Sequence, residues 1–375
     1  MRRELVHRGT VRQALPVALV SWAAARAAVL GALALVEFVL GELTVTRDGV
    51  PFTATDGLLG YDAAWYRDIA EHGYGALPDE AVRFFPLVPL LARLLGFGVV
   101  EDVALVVIAN ASALVLGVLV YLLVVAEGRE PAVARRAVWF VALFPAAFVF
   151  VWGYAEATAM ALTVAAFLAL RSRAWLWAAG LGFLVGLGRP TGFLLALPAA
   201  VEAYARWPEA HGPERVRRAL AVAAAPAGTL VYLAVVGARY GAFFDPYSVQ
   251  LDDDRSGGFV NPVSTLVDAT RGLLDGDEIG TGLHVPWVAV LGVLAVLTFR
   301  YWPPSYGVFA VAALGAGVAT NNLDSLERYG LAAFPILLTV AVLAARPYAE
   351  RVVLVASASG LTAYATLAYL RLYVP

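Results

Sequence analysis

The chain has 375 residues, 61% hydrophobic and only 15% charged, with a mean hydropathy of +0.75 and a formal net charge of −2. Soluble domains run nearer half apolar and a quarter charged, so most of this chain belongs in lipid. With no cysteine, disulfides, thiol chemistry and thiolate metal sites are excluded, and the four histidines, His7, His72, His211 and His284, are too scattered for a metal cluster.

In chain order, apolar runs separated by short charged clusters predict membrane spans near 14–40, 103–126, 137–152, 155–170, 174–188, 191–205, 219–238, 286–299, 305–320, 330–345 and 351–372. The expected fold is an all-α integral membrane protein with about 11 transmembrane helices in a single domain over 1–375. Several runs fall short of the ~20 residues a perpendicular helix needs, so half-helices are expected among them. Arg189-Pro190 is the expected break between two such halves, because proline has no N–H to continue the ladder. The first run follows an arginine-rich start but is too long for a signal peptide and lacks a small-residue cleavage pattern, so a retained anchor is expected.

All 27 basic residues are arginine. A cytoplasmic N-terminus puts 16 of them inside, ten outside and Arg26 within the first span, as the positive-inside rule expects. The large connecting pieces, 41–102 and 239–285, then lie outside, which predicts a multi-pass cell-membrane protein with its site on the extracytoplasmic face. Neither a GxGxxG nor a P-loop is present, and no nucleotide or nucleic acid is an expected partner.

The first outer piece contains "GLLGYDAAWYRDIAEHGYG", Gly57–Gly75. Its spacing predicts a short helix from Tyr61 to Gly73, with Asp62, Tyr66 and Ile69 on one face and Trp65, Asp68 and His72 on the next. Gly73 supplies the stop. "RFFPLVPLLARLLGFG" (Arg83–Gly98) follows, broken by Pro86 and Pro89, and is expected to lie in the outer interface or to re-enter. Trp65, Tyr66 and Tyr74 also suit an aromatic-belt helix. A belt does not account for further polar groups at the same end of other runs: Glu156, Arg189, Arg239, Asp245 and Arg328. Charges at such depth face a cavity or a partner, and arginines beside carboxylates suit an anionic amphiphile whose phosphate takes bidentate hydrogen bonds.

"YDAAWYRDIAEHGY" with "FFPLVPLLARL", then "YAEATAM" with "GRPTGF", then "FFDPYSVQ", then "LERYGLAAFPILL" resemble, in order and over most of the chain, the PIG-V-type mannosyltransferases. Two departures stand out: Tyr61 where the family has tryptophan, and no tryptophan in "LDDDRSGGFVNP" after Gln250. The resemblance implies a GT-C architecture, a helical bundle with short interfacial helices on its outer loop. It also implies transfer of mannose from a polyprenyl-phosphate carrier to a lipid-linked or glycan acceptor among membrane lipids, with no metal or cofactor. Residue by residue, it implies Asp62 as general base, with Asp68 as the rival. Arg328 and Arg189 become phosphate clamps, Glu156 and Asp245 bind hydroxyls, and Trp65, Tyr66 and Tyr329 contact substrate. The acids Asp252–Asp254 read as a solvated charge run rather than a metal site. Other GT-C transferases, using another sugar or a protein acceptor, are the nearer alternative. A secondary transporter is the more distant one, since it usually shows an internal repeat and midplane polar residues.

Overall fold

The computed structural model describes residues 8–42, 53–97, 99–205, 207–249, 261–276, 284–319, 323 and 325–373; Asp252–Asp254 lie outside them. Among the described residues every regular element is helical. The α-helices begin with α1 (Arg8–Glu42), α2 (Asp62–His72), α3 (Leu87–Gly96), α4 (Glu101–Ala126) and α5 (Pro131–Ala142). They continue with α6 (Glu156–Arg171), α7 (Trp175–Gly188), α8 (Ala196–Tyr204), α9 (Pro213–Tyr240), α10 (Asp245–Ser248) and α11 (Pro262–Asp275). The last are α12 (Val285–Tyr301), α13 (Pro304–Val318), α14 (Leu326–Ala332), α15 (Pro335–Leu343) and α16 (Pro347–Tyr369). Single 3-10 turns lie between several of them, notably at Thr53–Leu59, Pro145–Phe150 and Pro190–Leu195.

Four helices, α1, α4, α9 and α16, are long and apolar enough to cross a membrane, and α14 with α15 adds a fifth if that pair, bent by 79°, is one span. These are the helices of a membrane protein; among the described residues the count of about 11 is not confirmed. The difference lies in breaks that hydropathy does not see. The run predicted at 137–152 ends its α-helix at Ala142 and turns into 3-10 at Pro145. The run at 330–345 breaks before Pro335. In each case proline withholds an N–H and its ring crowds the carbonyl four residues back. α7 stops at Gly188, with Arg189 extended before Pro190, where the break was expected. At ~1.5 Å per residue its 14 residues reach about 21 Å, short of a full crossing.

Contacts divide the chain into two compact units. The first, here the aspartate unit, takes in Glu4–Gly73, Val88–Ala161 and Val340–Pro375. Within it α1 packs along α4, α5 and α16, and α16 lies against the 3-10 turn at Pro145–Phe150. Small residues permit the approach: a Cβ on Gly360 would stand 2.8 Å from the Pro145 ring, and one on Gly117 3.1 Å from Ala18. Arg135 and Arg136 both reach Glu350 (2.9 and 3.7 Å), and Arg136 donates to the Ala341 carbonyl.

The second, the arginine unit, includes Tyr74–Leu87 and Leu162–Thr339. Its axis is the pairing of α7 with α9, where backbone meets backbone. A Cβ on Gly186 would lie 2.0 Å from the Ala225 carbonyl oxygen, and one on Gly228 2.2 Å from that of Phe183. Thr229 donates its hydroxyl to the Gly186 carbonyl across the same seam. Phe167, Tyr306, Phe309 and Phe334 form an edge-to-face cluster with centroids about 5–6 Å apart. Arg171 grips both oxygens of Glu202, which also accepts from buried Ser305 at 2.6 Å.

Candidate functional site

In the aspartate unit, Asp62 opens α2 and Gly73 closes it with φ 75°, within one residue of the expected bounds. A carboxylate in the first turn complements the helix dipole. Tyr66, Ile69, Ala63 and Ala70 form the buried stripe, while Asp62, Trp65 and Asp68 are half-buried. Tyr66 therefore packs the helix, whereas the Trp65 ring retains an accessible face. Asp68 is engaged by its neighbour: the Arg67 guanidinium meets its Oδ1 at 2.8 and 2.9 Å. Of the two aspartates, Asp62 is the one whose main-chain amide is bonded outside α2.

That anchoring starts at Tyr61, whose φ of 52° with ψ −123° lies where side-chain-bearing residues rarely go. Three contacts hold it there. Its hydroxyl donates to the carbonyls of Ala368 and Tyr373, each at 3.2 Å, and its ring stacks on Trp152 at 6.1 Å. Trp152 is fully buried and donates Nε1–H to the Tyr369 hydroxyl at 2.9 Å. A tryptophan at this position would lose the hydroxyl that reaches the end of α16. Next, the Asp62 amide donates to the Tyr154 hydroxyl at 3.3 Å, and the Gly153 amide donates to the Leu58 carbonyl at 2.9 Å. Two motifs 92 residues apart, "YDAAWY" and "YAE", thus meet. Glu156, buried at 5% exposure, is the first residue of α6, two positions beyond Tyr154.

In the arginine unit, Arg189 stands half-buried in the extended break between α7 and the turn at Pro190–Leu195. Tyr247, in α10, donates its hydroxyl to the Pro190 carbonyl at 2.8 Å, which brings "FFDPYS" to "GRPTGF". Burial pushes the Tyr247 phenol up to about 12, so it remains a donor at every ordinary pH. Asp245 opens α10, half-buried. The segment "RFFP" is pinned beside them: Tyr232 of α9 donates to the Val82 carbonyl at 2.7 Å, and Phe85 packs on the rings of Tyr232 and Tyr247. Arg239, in the last turn of α9, is exposed.

Arg328 and Tyr329 sit half-buried in the seven-residue α14. The Tyr329 ring fills the space a side chain at Gly317 would occupy, only 2.5 Å from a Cβ there. The start of α14 is tied by a pair that sequence reading missed. Glu327, with no exposed surface, meets His284 Nδ1 at 2.8 Å across 43 residues. A carboxylate so buried requires such a partner. Thus Asp62, Trp65, Tyr66, Asp68 and Glu156 belong to one unit, and Arg189, Asp245, Arg328 and Tyr329 to the other. Among the described residues no cluster of metal-ligating side chains is present.

No protein-family model matches the chain, and no curated protein does. It is similar to two solved structures of the Archaeoglobus fulgidus oligosaccharyltransferase. One, in complex with Zn and sulfate, shares 15% identity over 76% of this chain and 44% of that one, with a TM-score of 0.40. The other, tethered to an acceptor peptide containing the NVT sequon via a disulfide bond, shares 13% over 91% and 55%, with a TM-score of 0.43. The chain spans about half the length of those structures. Likeness this distant decides neither fold nor chemistry.

Proposed function

We propose that the chain is a membrane glycosyltransferase of the GT-C type that moves mannose from a polyprenyl-phosphate carrier to a hydroxyl of a lipid-linked acceptor on the extracytoplasmic face. The observation that supports this reading best is the seating of Asp62 on Tyr154, 92 residues away, which unites the two carboxylate-bearing motifs of the PIG-V resemblance in one unit. The Arg-Pro and Asp-Pro-Tyr motifs join in the other unit through Tyr247.

In this reading the acceptor oxygen attacks C1 of the sugar as the bond from C1 to the phosphate oxygen breaks, with inversion. Asp62 takes the hydroxyl proton. Polyprenyl phosphate leaves with one more negative charge on its phosphate, which the guanidiniums of Arg328 and Arg189 offset. Glu156 and Asp245 hold sugar or acceptor hydroxyls, and Trp65 offers a ring face to the sugar. In this reading guanidiniums, rather than a metal ion, meet the charge of the leaving phosphate.

The test is incubation of the purified protein in liposomes with radiolabelled polyprenyl-phosphate mannose, lipid acceptors and a peptide acceptor. Label in a lipid product is expected. Label in the peptide would move the reading to protein O-mannosyl transfer. Uptake into sealed vesicles without covalent product would overturn it in favour of a transporter.

A further inference from the structure

Arg26 lies near the middle of α1, with about 20 Å of helix back to Arg12 and about 16 Å on to Glu37 at ~1.5 Å per residue. A guanidinium at that depth faces polar partners or carries a function. Its partners here are neutral oxygens. Nε donates to the Asn110 side-chain oxygen at 2.7 Å, Nη1 to the Trp22 carbonyl at 3.4 Å, and Nη2 to the Phe150 carbonyl at 2.9 Å. The guanidinium also lies over the Trp22 ring, 4.5 Å from its centroid. Asn110, on α4, turns its amide nitrogen to the carbonyls of Val106 (2.8 Å) and Val151 (2.9 Å).

Phe150 and Val151 are the end of the 3-10 turn that interrupts the chain between α5 and α6. Interrupted backbone at membrane depth persists only where protein or water satisfies its carbonyls. Arginine and asparagine do that here. The next three residues hold the segment bearing Asp62: Trp152 stacks on Tyr61, Gly153 donates to Leu58, and Tyr154 accepts from Asp62. The fit leaves no slack, because a Cβ on Gly153 would stand 3.1 Å from the Leu59 side chain and 3.3 Å from Leu105.

We propose that Arg26 and Asn110 are positioning residues. They clamp the carbonyls of Phe150 and Val151, so that Trp152–Tyr154 become a fixed seat for the segment bearing Asp62. The catalytic part of the inference rests on the glycosyltransferase reading; the clamp itself does not. A role confined to packing α1 on α4 makes a different prediction for one variant. Asn110→Asp keeps, and strengthens, the attraction to Arg26 but removes the amide donor to Val151.

The experiment is residue-resolved hydrogen exchange on the full chain in nanodiscs, with wild type, Asn110→Asp, Arg26→Met and Arg26→Lys. Loss of one such bond is expected to speed exchange of the Gly153 and Asp62 amides about tenfold in Asn110→Asp and Arg26→Met. Arg26→Lys, which still donates, should recover part of the protection. The thermal midpoint of Asn110→Asp should hold. In the transfer assay kcat falls while the KM for the donor is unchanged. Wild-type exchange at both amides in folded Asn110→Asp would overturn the clamp, even if Arg26→Met fails to fold. Faster exchange in a protein whose wild type transfers no sugar would uphold the clamp and overturn the enzymatic reading.

Discussion

The two units solve the same problem, polar groups at membrane depth, by opposite means. The aspartate unit leaves its backbone broken near Phe150 and fills the gap with donors from other helices, Arg26 and Asn110. Its carboxylates, Asp62 and Glu156, each open a helix. The arginine unit instead removes side chains, bringing α7 and α9 into backbone contact at Gly186 and Gly228. Its guanidiniums sit in broken or short elements, Arg189 between two helical turns and Arg328 in seven residues of α14. The contrast teaches that an aspartate can be held by main-chain anchoring and an arginine by elements that start and stop abruptly.

Breaking the seam of the arginine unit should have the largest effect. Gly186→Leu places carbon where the Ala225 carbonyl already lies, 2.0 Å from a Cβ, and overpacking of this kind costs at least about 1–3 kcal/mol. Detergent extracts should contain no monodisperse protein by size exclusion, whereas Gly180→Ala on the same helix, with nothing within 4 Å, should behave as wild type. Next comes Arg328→Ala. Hydrogen bonds to charged groups contribute about 1.5–3 kcal/mol, so donor affinity by titration should fall roughly 10–100-fold with the fold intact. The two anchoring tyrosines give a matched, smaller pair. Tyr154→Phe removes the acceptor for the Asp62 amide and should lower kcat about fivefold at constant KM, from a loss of about 1 kcal/mol. Tyr247→Phe removes the donor to the Pro190 carbonyl and should raise the KM for the donor by about the same factor at constant kcat. Steady-state kinetics on both variants separates the units, and the same parameter moving in both would erase the distinction.

Much of this was legible in sequence. The bounds of α2 follow from Asp62, the spacing of its stripe and Gly73, and the break at Arg189-Pro190 follows from the proline. The membrane character follows from composition, but the number of spans does not. Apolar runs continue through Pro145 and Pro335, where the helices stop or bend, and hydropathy averages over both. Nor does a local pattern reveal partners far apart in sequence. Arg26 finds Asn110 and Phe150 across 84 and 124 residues, and His284 finds Glu327 across 43. In sequence Tyr61 is only a departure from tryptophan, yet its hydroxyl ties the start of α2 to the end of α16 over 307 residues. Helical spacing alone does not say that Tyr66 lies on the buried face of α2.

The most direct measurement is turnover and donor binding of purified Asp62→Asn, side by side. Loss of a general base predicts a fall in turnover of about 10²–10⁴-fold, with donor affinity and helical content as in wild type. Wild-type turnover in that variant would contradict the assignment of Asp62 and with it the role given to the aspartate unit.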